Sequence, residues 1–236
     1  MEIVASVKPL AAVLSALIGA CMVMLSRRSP NVRESWSLVA ALVMFGIILS
    51  MVPDVAPQPV GRGLTLHQTL FPILPGLSVS FRADAFSMVF ALVGSFLWVI
   101  TIFYSAGYMR SLEEHAQTRF NACFALTLFG AMGVAFADNL FTLYLFYEVV
   151  SICTYPLVAH HQDEESYSGG RKYIVYLTTT AKGLVLPAMI LIYVLTGTLD
   201  ALTHAGVWLD DEQIDSLSIV RGPIAGMLKV RVEVLA

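Results

Sequence analysis

Glu148 and Lys182 are charged residues standing inside long stretches that are otherwise uncharged. Around Glu148, the residues Tyr144, Ser151 and Tyr155 recur three to four positions apart, on one face of a helix. Around Lys182, the residues Lys172, Tyr176 and Thr179 follow a similar, slightly drifting stripe. Hydroxyls flanking a carboxylate and an ammonium can hold water and form a polarised hydrogen-bond chain, which is a path for protons. The same residues could instead make a static ion pair that joins two helices, or the lysine could extend away to an aqueous edge.

The elements that must position them follow from where charges are absent. Hydrophobic residues make up 57% of the 236 residues and charged residues 13%, against about 25% charged in a soluble domain. A helix needs roughly 17–25 apolar residues to cross a hydrocarbon core about 30 Å thick. Six stretches qualify, near 9–26, 35–53, 85–109, 120–137, 139–162 and 173–199. Of the 31 charged residues, 29 lie outside them, and the exceptions are Glu148 and Lys182. Glu148 is nine residues past Asn139, about 14 Å along its helix, and Lys182 is ten past Lys172, about 15 Å from the opposite side. Both depths approach the midplane, where a charge costs at least roughly 2.5–3.5 kcal/mol and is a functional candidate by default. Pro156 and Pro187 each release a backbone carbonyl one turn earlier, which neighbours or water can satisfy.

The expected fold is therefore all-α: a polytopic membrane bundle of about six transmembrane helices over residues 1–200, followed by a short tail, 201–236. The first stretch has a faint lipoprotein-like box at Ile18-Gly19-Ala20-Cys21, but its length and the following Arg27 and Arg28 favour a retained helix. Asp138-Asn139 reads as a tight turn, and Leu77 to Arg82 alternates apolar with polar as a half-buried strand does. Seven basic residues (Arg27, Arg28, Arg33, Arg110, Arg119, Arg171, Lys172) flank one side of the spans, against Lys8, Arg62 and Arg82 on the other. The positive-inside rule then places the N-terminus outside.

Other chemistry is poorly supported. His160-His161 before Asp163, Glu164 and Glu165 reads as a solvated cytoplasmic loop rather than a metal site, and Asp210-Asp211-Glu212 as a solvated acidic turn. The three cysteines form no CxxC or iron–sulfur pattern, and no phosphate loop or haem attachment is present. No cofactor, metal or redox centre is expected in this chain, and the charge pattern gives no basic footprint for nucleic acid.

Several ordered motifs now point to a family. Tyr104-Ser105-Ala106-Gly107-Tyr108-Met109 resembles the YSxGYM signature of the antiporter-like membrane subunits found in respiratory complex I, membrane-bound hydrogenases and Mrp-type cation/proton antiporters. Asn139-Leu140, Phe146-Tyr147-Glu148 and Cys153-Thr154-Tyr155-Pro156-Leu157 resemble that family's fifth helix, which carries its essential glutamate. Lys172-Tyr173-Ile174-Val175-Tyr176 resembles the start of the sixth, and Gly197-Thr198-Leu199 the turn after it. The resemblance, over about 65–200, implies a partial proton-translocating subunit of a redox-driven pump, as in NADH:quinone oxidoreductase, or of an antiporter. It implies other membrane subunits as partners, protons and sodium as candidate ions, and a bacterial inner membrane as location. Glu148 would match the glutamate that modulates the next lysine, whereas Lys182 has no assigned family counterpart. Family members look like about fourteen helices built around two inverted repeats, and the tail 201–236 reads as non-family, so a truncated, split or frame-shifted product is the expectation. A structural or assembly subunit, or an inactive fragment, is the alternative.

Overall fold

A computed structural model describes residues 3–74, 77–112, 115–196 and 199. The tail 201–236, with its acidic turn, and most of the Gly197-Thr198-Leu199 turn lie outside the described residues. The helices are α1 (Lys8–Leu25), α2 (Pro30–Val55), α3 (Ala85–Ser111), α4 (Gln117–Ala135), α5 (Leu140–Val158), α6 (Glu164–Thr180) and α7 (Leu186–Thr196). A π turn, Ala181–Val185, joins α6 to α7 in one continuous rod. Among the described residues, six helices are thus long and apolar enough to cross a membrane, the α6–α7 rod counting as one.

α6 starts earlier than the uncharged stretch does, because helix formation there needs no apolar residue. Asp163 caps it, its carboxylate accepting the Ser166 N–H at 2.7 Å, and Glu164 and Glu165 favour the first turn. The same Asx cap with a hydroxyl residue at N3 starts α3 (Asp84, Ser87) and α5 (Asn139, Thr142). At Ala181 the backbone widens, with the Leu186 N–H reaching the Ala181 carbonyl five residues back. Gly183 and Pro187 account for this locally: proline lacks an N–H, and its ring crowds the carbonyl four residues earlier.

α1 lies between α2 and α4, α3 packs outside α2, and α6 outside α5. Lipid tails are as apolar as leucine, so close approach rather than hydrophobic burial joins these helices, and small residues permit it. Ala12, Ala16 and Ala20 of α1 are fully buried, and Gly19 meets Ala40 of α2 with no room for a side chain. On α4, Gly130 and Gly133 leave room for Val150 and Phe146 of α5. Phe146 fills the dent at Gly133 and touches Phe81 and Phe129, at ring-centroid distances of 5.5 and 5.3 Å.

The strand expected at Leu77 to Arg82 is present as β3 (Leu77–Ala83), and it does form a hairpin. Its antiparallel partner is β2 (Thr65–Leu74), with irregularities on either side of Phe71 and Pro72. A short β1 (Ile3–Ala5) adds a parallel third strand, pairing Ile3 with Thr65. Lys8 at the foot of α1 reaches Asp54 at the end of α2 (2.8 Å), on the hairpin side. At the other end, Arg110 forks onto Glu34 and Arg119 donates to the His160 carbonyl. The two groups of basic residues that the sequence separates therefore sit at opposite ends of the bundle.

Candidate functional site

Glu148 is the ninth of nineteen residues in α5, one position from the centre of a helix just long enough to cross. Thr154 and Tyr173 set the register of the antiparallel α5–α6 pair, their hydroxyls 2.6 Å apart, and Tyr155 lies over Gly170 beside them. From that contact, Glu148 is six residues back along α5 and Lys182 nine residues on along α6 and the π turn. Three residues of mismatch correspond to about 4.5 Å. Helix side chains lean toward their own N-terminus, so Glu148 leans up and Lys182 leans down, and the gap closes. Lys182 Nζ stands 3.8 Å from Glu148 Oε2.

The two oxygens of Glu148 differ. Oε2 faces the ammonium, whereas Oε1 is buried and accepts no hydrogen bond from a described residue. The carboxylate side chain is 19% exposed and Lys182 57%, so the pair has a shielded side and an open one. Tyr144 lies one turn before Glu148 on the same helix. The arrangement can take up one proton at Oε1, and once that proton leaves, the Lys182 ammonium balances the carboxylate.

The remaining expected residues divide. Ser151 is buried but donates its hydroxyl to the Tyr147 carbonyl (3.0 Å), inside its own helix. Tyr155 is half-buried in the α5–α6 seam. Lys172, Tyr176 and Thr179 are exposed, Tyr176 at 73%, so the structure does not gather them around Glu148. The hydroxyls that do link the two helices are Thr154 and Tyr173, which the stripe reading passed over. Gly170, Tyr173, Leu177 and Ala181 at three-to-four spacing mark the packed face of α6, and that small–aromatic pattern could have identified Tyr173.

A second polar cluster joins the hairpin to the α4–α5 corner. Asn139, fully buried, donates to the Ser78 carbonyl (2.8 Å) and Ser80 Oγ (2.9 Å), while its own oxygen caps α5. Asp138 Oδ2 accepts from Ser80 Oγ at 3.1 Å and lies 3.0 Å from His67 Nε2, and Arg82 approaches Oδ1 at 3.7 Å. A tight turn was legible here, its role as the anchor of the hairpin was not.

His160 is not solvated as expected. It is buried, its ring stacked on His115 and edge-on to Phe120, and its carbonyl accepts from Arg119 at 2.7 Å. The shortness of the α5–α6 connection folds it back onto α4, while His161 stays exposed. No described group of three ligands has the geometry to hold a metal.

Among the described residues, six helices long and apolar enough to cross a membrane, a small sheet with its hairpin, and a carboxylate–ammonium pair midway along α5 define a polytopic membrane-protein fold. The sequence model described as "NADH:quinone oxidoreductase/Mrp antiporter, TM" matches residues 137–217, which include Glu148 and Lys182 and extend past residue 200. A second, "NADH-Ubiquinone oxidoreductase (complex I), chain 5 N-terminus", matches residues 75–121. Both matched segments are thus similar to this antiporter-like family of membrane subunits. It is 25% identical over 163 residues to a protein of Staphylococcus aureus strain MSSA476 named as an antiporter subunit, mnhA2, covering 69% of this chain and 20% of that protein. The strain MRSA252 protein of the same name is 26% identical over 122 residues, covering 52% and 15%. The chain thus spans about a fifth of the length of these curated relatives. A chain in the structure of the membrane-bound sulfane sulfur reductase (MBS), an archaeal respiratory membrane complex, superposes with a TM-score of 0.68 at 19% identity. That match covers 91% of this chain and 42% of the other, a likeness of fold.

Proposed function

We propose that this chain supplies part of a proton-translocating subunit in a multisubunit membrane assembly, a redox-driven pump or a cation/proton antiporter. The observation that carries the reading is the Glu148–Lys182 pair at 3.8 Å, with one carboxylate oxygen buried and without a donor among the described residues. Glu148 takes up and releases the proton, and Lys182 holds the counter-charge while it does so. Tyr144 and the Thr154–Tyr173 pair extend the hydrogen-bond path toward the two ends of α5. Tyr155 keeps the α5–α6 seam closed beside that pair. Lys172, Tyr176 and Thr179, exposed on α6, are left for further membrane elements of the assembly. No redox centre is assigned to this chain, and electron transfer belongs to partners.

The excess of basic residues at the end opposite the hairpin supports a reading in which that end faces the cytoplasm across a bacterial inner membrane and the N-terminus lies outside. Sodium is the second ion where the assembly exchanges cations. The test is Glu148→Gln with the rest of the assembly supplied: proton flux per assembled complex falls, while the yield of complex holds. A purely structural subunit gives the reverse, lower yield with flux per complex unchanged.

A further inference from the structure

A groove of about 260 Å³ runs between α2 and α3, at the end of the bundle opposite the hairpin. Its mouth is polar, with Asn31, Glu34 and Arg110, and its floor is apolar, with Leu38, Ile102 and Ala106. The change from polar to apolar takes two turns of α2, from Asn31 to Leu38, about 10 Å. Tyr104 and Tyr108 stack on each other beside it, at 5.9 Å, and are largely exposed. Exposed tyrosines on a spanning helix settle at the headgroup level.

The charge at the mouth is unbalanced. Glu34 is shared by Arg110 and Arg33, the latter at 3.8 Å. Arg110 uses Nε and Nη2 on Glu34 and Asn31, and its Nη1 meets no described acceptor. Arg27 and Arg28, exposed at the α1–α2 corner just before Asn31, make no ion pair among the described residues. Among the described residues, Glu34 is thus the one carboxylate beside Arg110 and Arg33, with Arg33 also held by Thr118 and Gln117 of α4, at a groove that turns apolar toward the bilayer.

We infer that this groove is a binding site for an anionic phospholipid, its phosphate at Arg110 and its acyl chain along Leu38, Ile102 and Ala106. Basic pockets between spanning helices recognise such headgroups, and the polarity gradient along the groove is that of a lipid. The small Ala106, in the Tyr-Ser-Ala-Gly-Tyr-Met segment, keeps the floor open.

Native mass spectrometry of the purified full chain in detergent tests this, with phosphatidylglycerol or phosphatidylcholine of matched acyl chains. The wild type retains phosphatidylglycerol at least about five-fold better, the effect of one basic residue near an anionic headgroup. Ala106→Phe, which fills the groove without altering charge, and Arg110→Gln both lose that preference, whereas Arg62→Gln at the opposite end keeps it. Because Arg110→Gln also releases Glu34, Ala106→Phe decides the matter if that variant folds poorly. Equal retention of the two lipids by the wild type, or an unchanged preference in Ala106→Phe, overturns the assignment. Displacement of the bound lipid by equimolar glycerol 1-phosphate also overturns it, since the apolar floor would then contribute nothing.

Discussion

Lys182 reaches Glu148 across the α5–α6 seam from a π turn, Nζ to Oε2 at 3.8 Å, although the two residues are offset by three positions in the helix register. A regular helix with an uncharged residue at 182 would leave the buried carboxylate facing only hydroxyls and apolar side chains. Removing one member of a buried pair costs more than removing both, because the survivor is left without compensation.

Glu148→Gln and Lys182→Met should therefore be non-additive in stability. The coupling expected is about 0.6 kcal/mol, within the range up to ~1.7 found for polar pairs in membrane bundles, and Lys182's partial exposure keeps it at the lower end. Unfolding of the two single variants and the double variant in bicelles measures it. Additivity within about 0.3 kcal/mol would show that the two side chains do not sense each other.

Gly133→Ala should cost about 1–3 kcal/mol, because its Cβ would enter the Phe146 ring and overpack the α4–α5 contact. Gly46→Ala is the comparison: nothing lies within 4 Å of its Cβ, and alanine favours helix by up to about 1 kcal/mol. Thermal unfolding in detergent should order the proteins as Gly46→Ala, wild type, Gly133→Ala.

The six helices were legible because each crossing demands a run without charges, and the π turn was foreshadowed only by Pro187 and Gly183 within one. β3 was visible in its alternation, but β2 was hidden by Pro72 and by His67, Gln68 and Thr69, which break the period. Glu148 and Lys182 stood out for a physical reason, the cost of burying charge. Lys172, Tyr176 and Thr179 were placed beside them by spacing along one helix, yet spacing says nothing of which face a neighbouring helix covers. Asn139 and Asp138 looked like turn residues, since a polar pair between two apolar runs does not reveal that a distant hairpin supplies its partners.

Asn139→Ala should release that hairpin. It removes donors to Ser78 and Ser80 and the cap on Thr142, and each buried group left unpaired costs about 1–3 kcal/mol. Hydrogen exchange should quicken at Ser78–Ser80 and at Thr142 while α1 and α2 keep their protection. Uniform loss of protection throughout the bundle would contradict a local role.

The α6 start should depend on pH. The Ser166 hydroxyl and backbone N–H hold the Asp163 carboxyl below its usual pKa. A carboxyl depressed in the folded state stabilises it above the unfolded pKa, about 3.9 for aspartate, and that contribution is lost as pH falls through the folded value. The protection factor of the Ser166 amide, its exchange corrected for the intrinsic pH dependence, should fall below about pH 3.9 in the wild type and be low at all pH values in Asp163→Ala.

Proton flux per assembled complex, compared between wild type and Glu148→Gln, decides whether Glu148 carries the proton. With complex yield measured in the same membranes, the account predicts that the glutamine variant assembles yet loses coupled translocation, and that Glu148→Asp regains part of it. Wild-type flux per complex from Glu148→Gln would contradict it, because an amide at the centre of α5 cannot take up the proton.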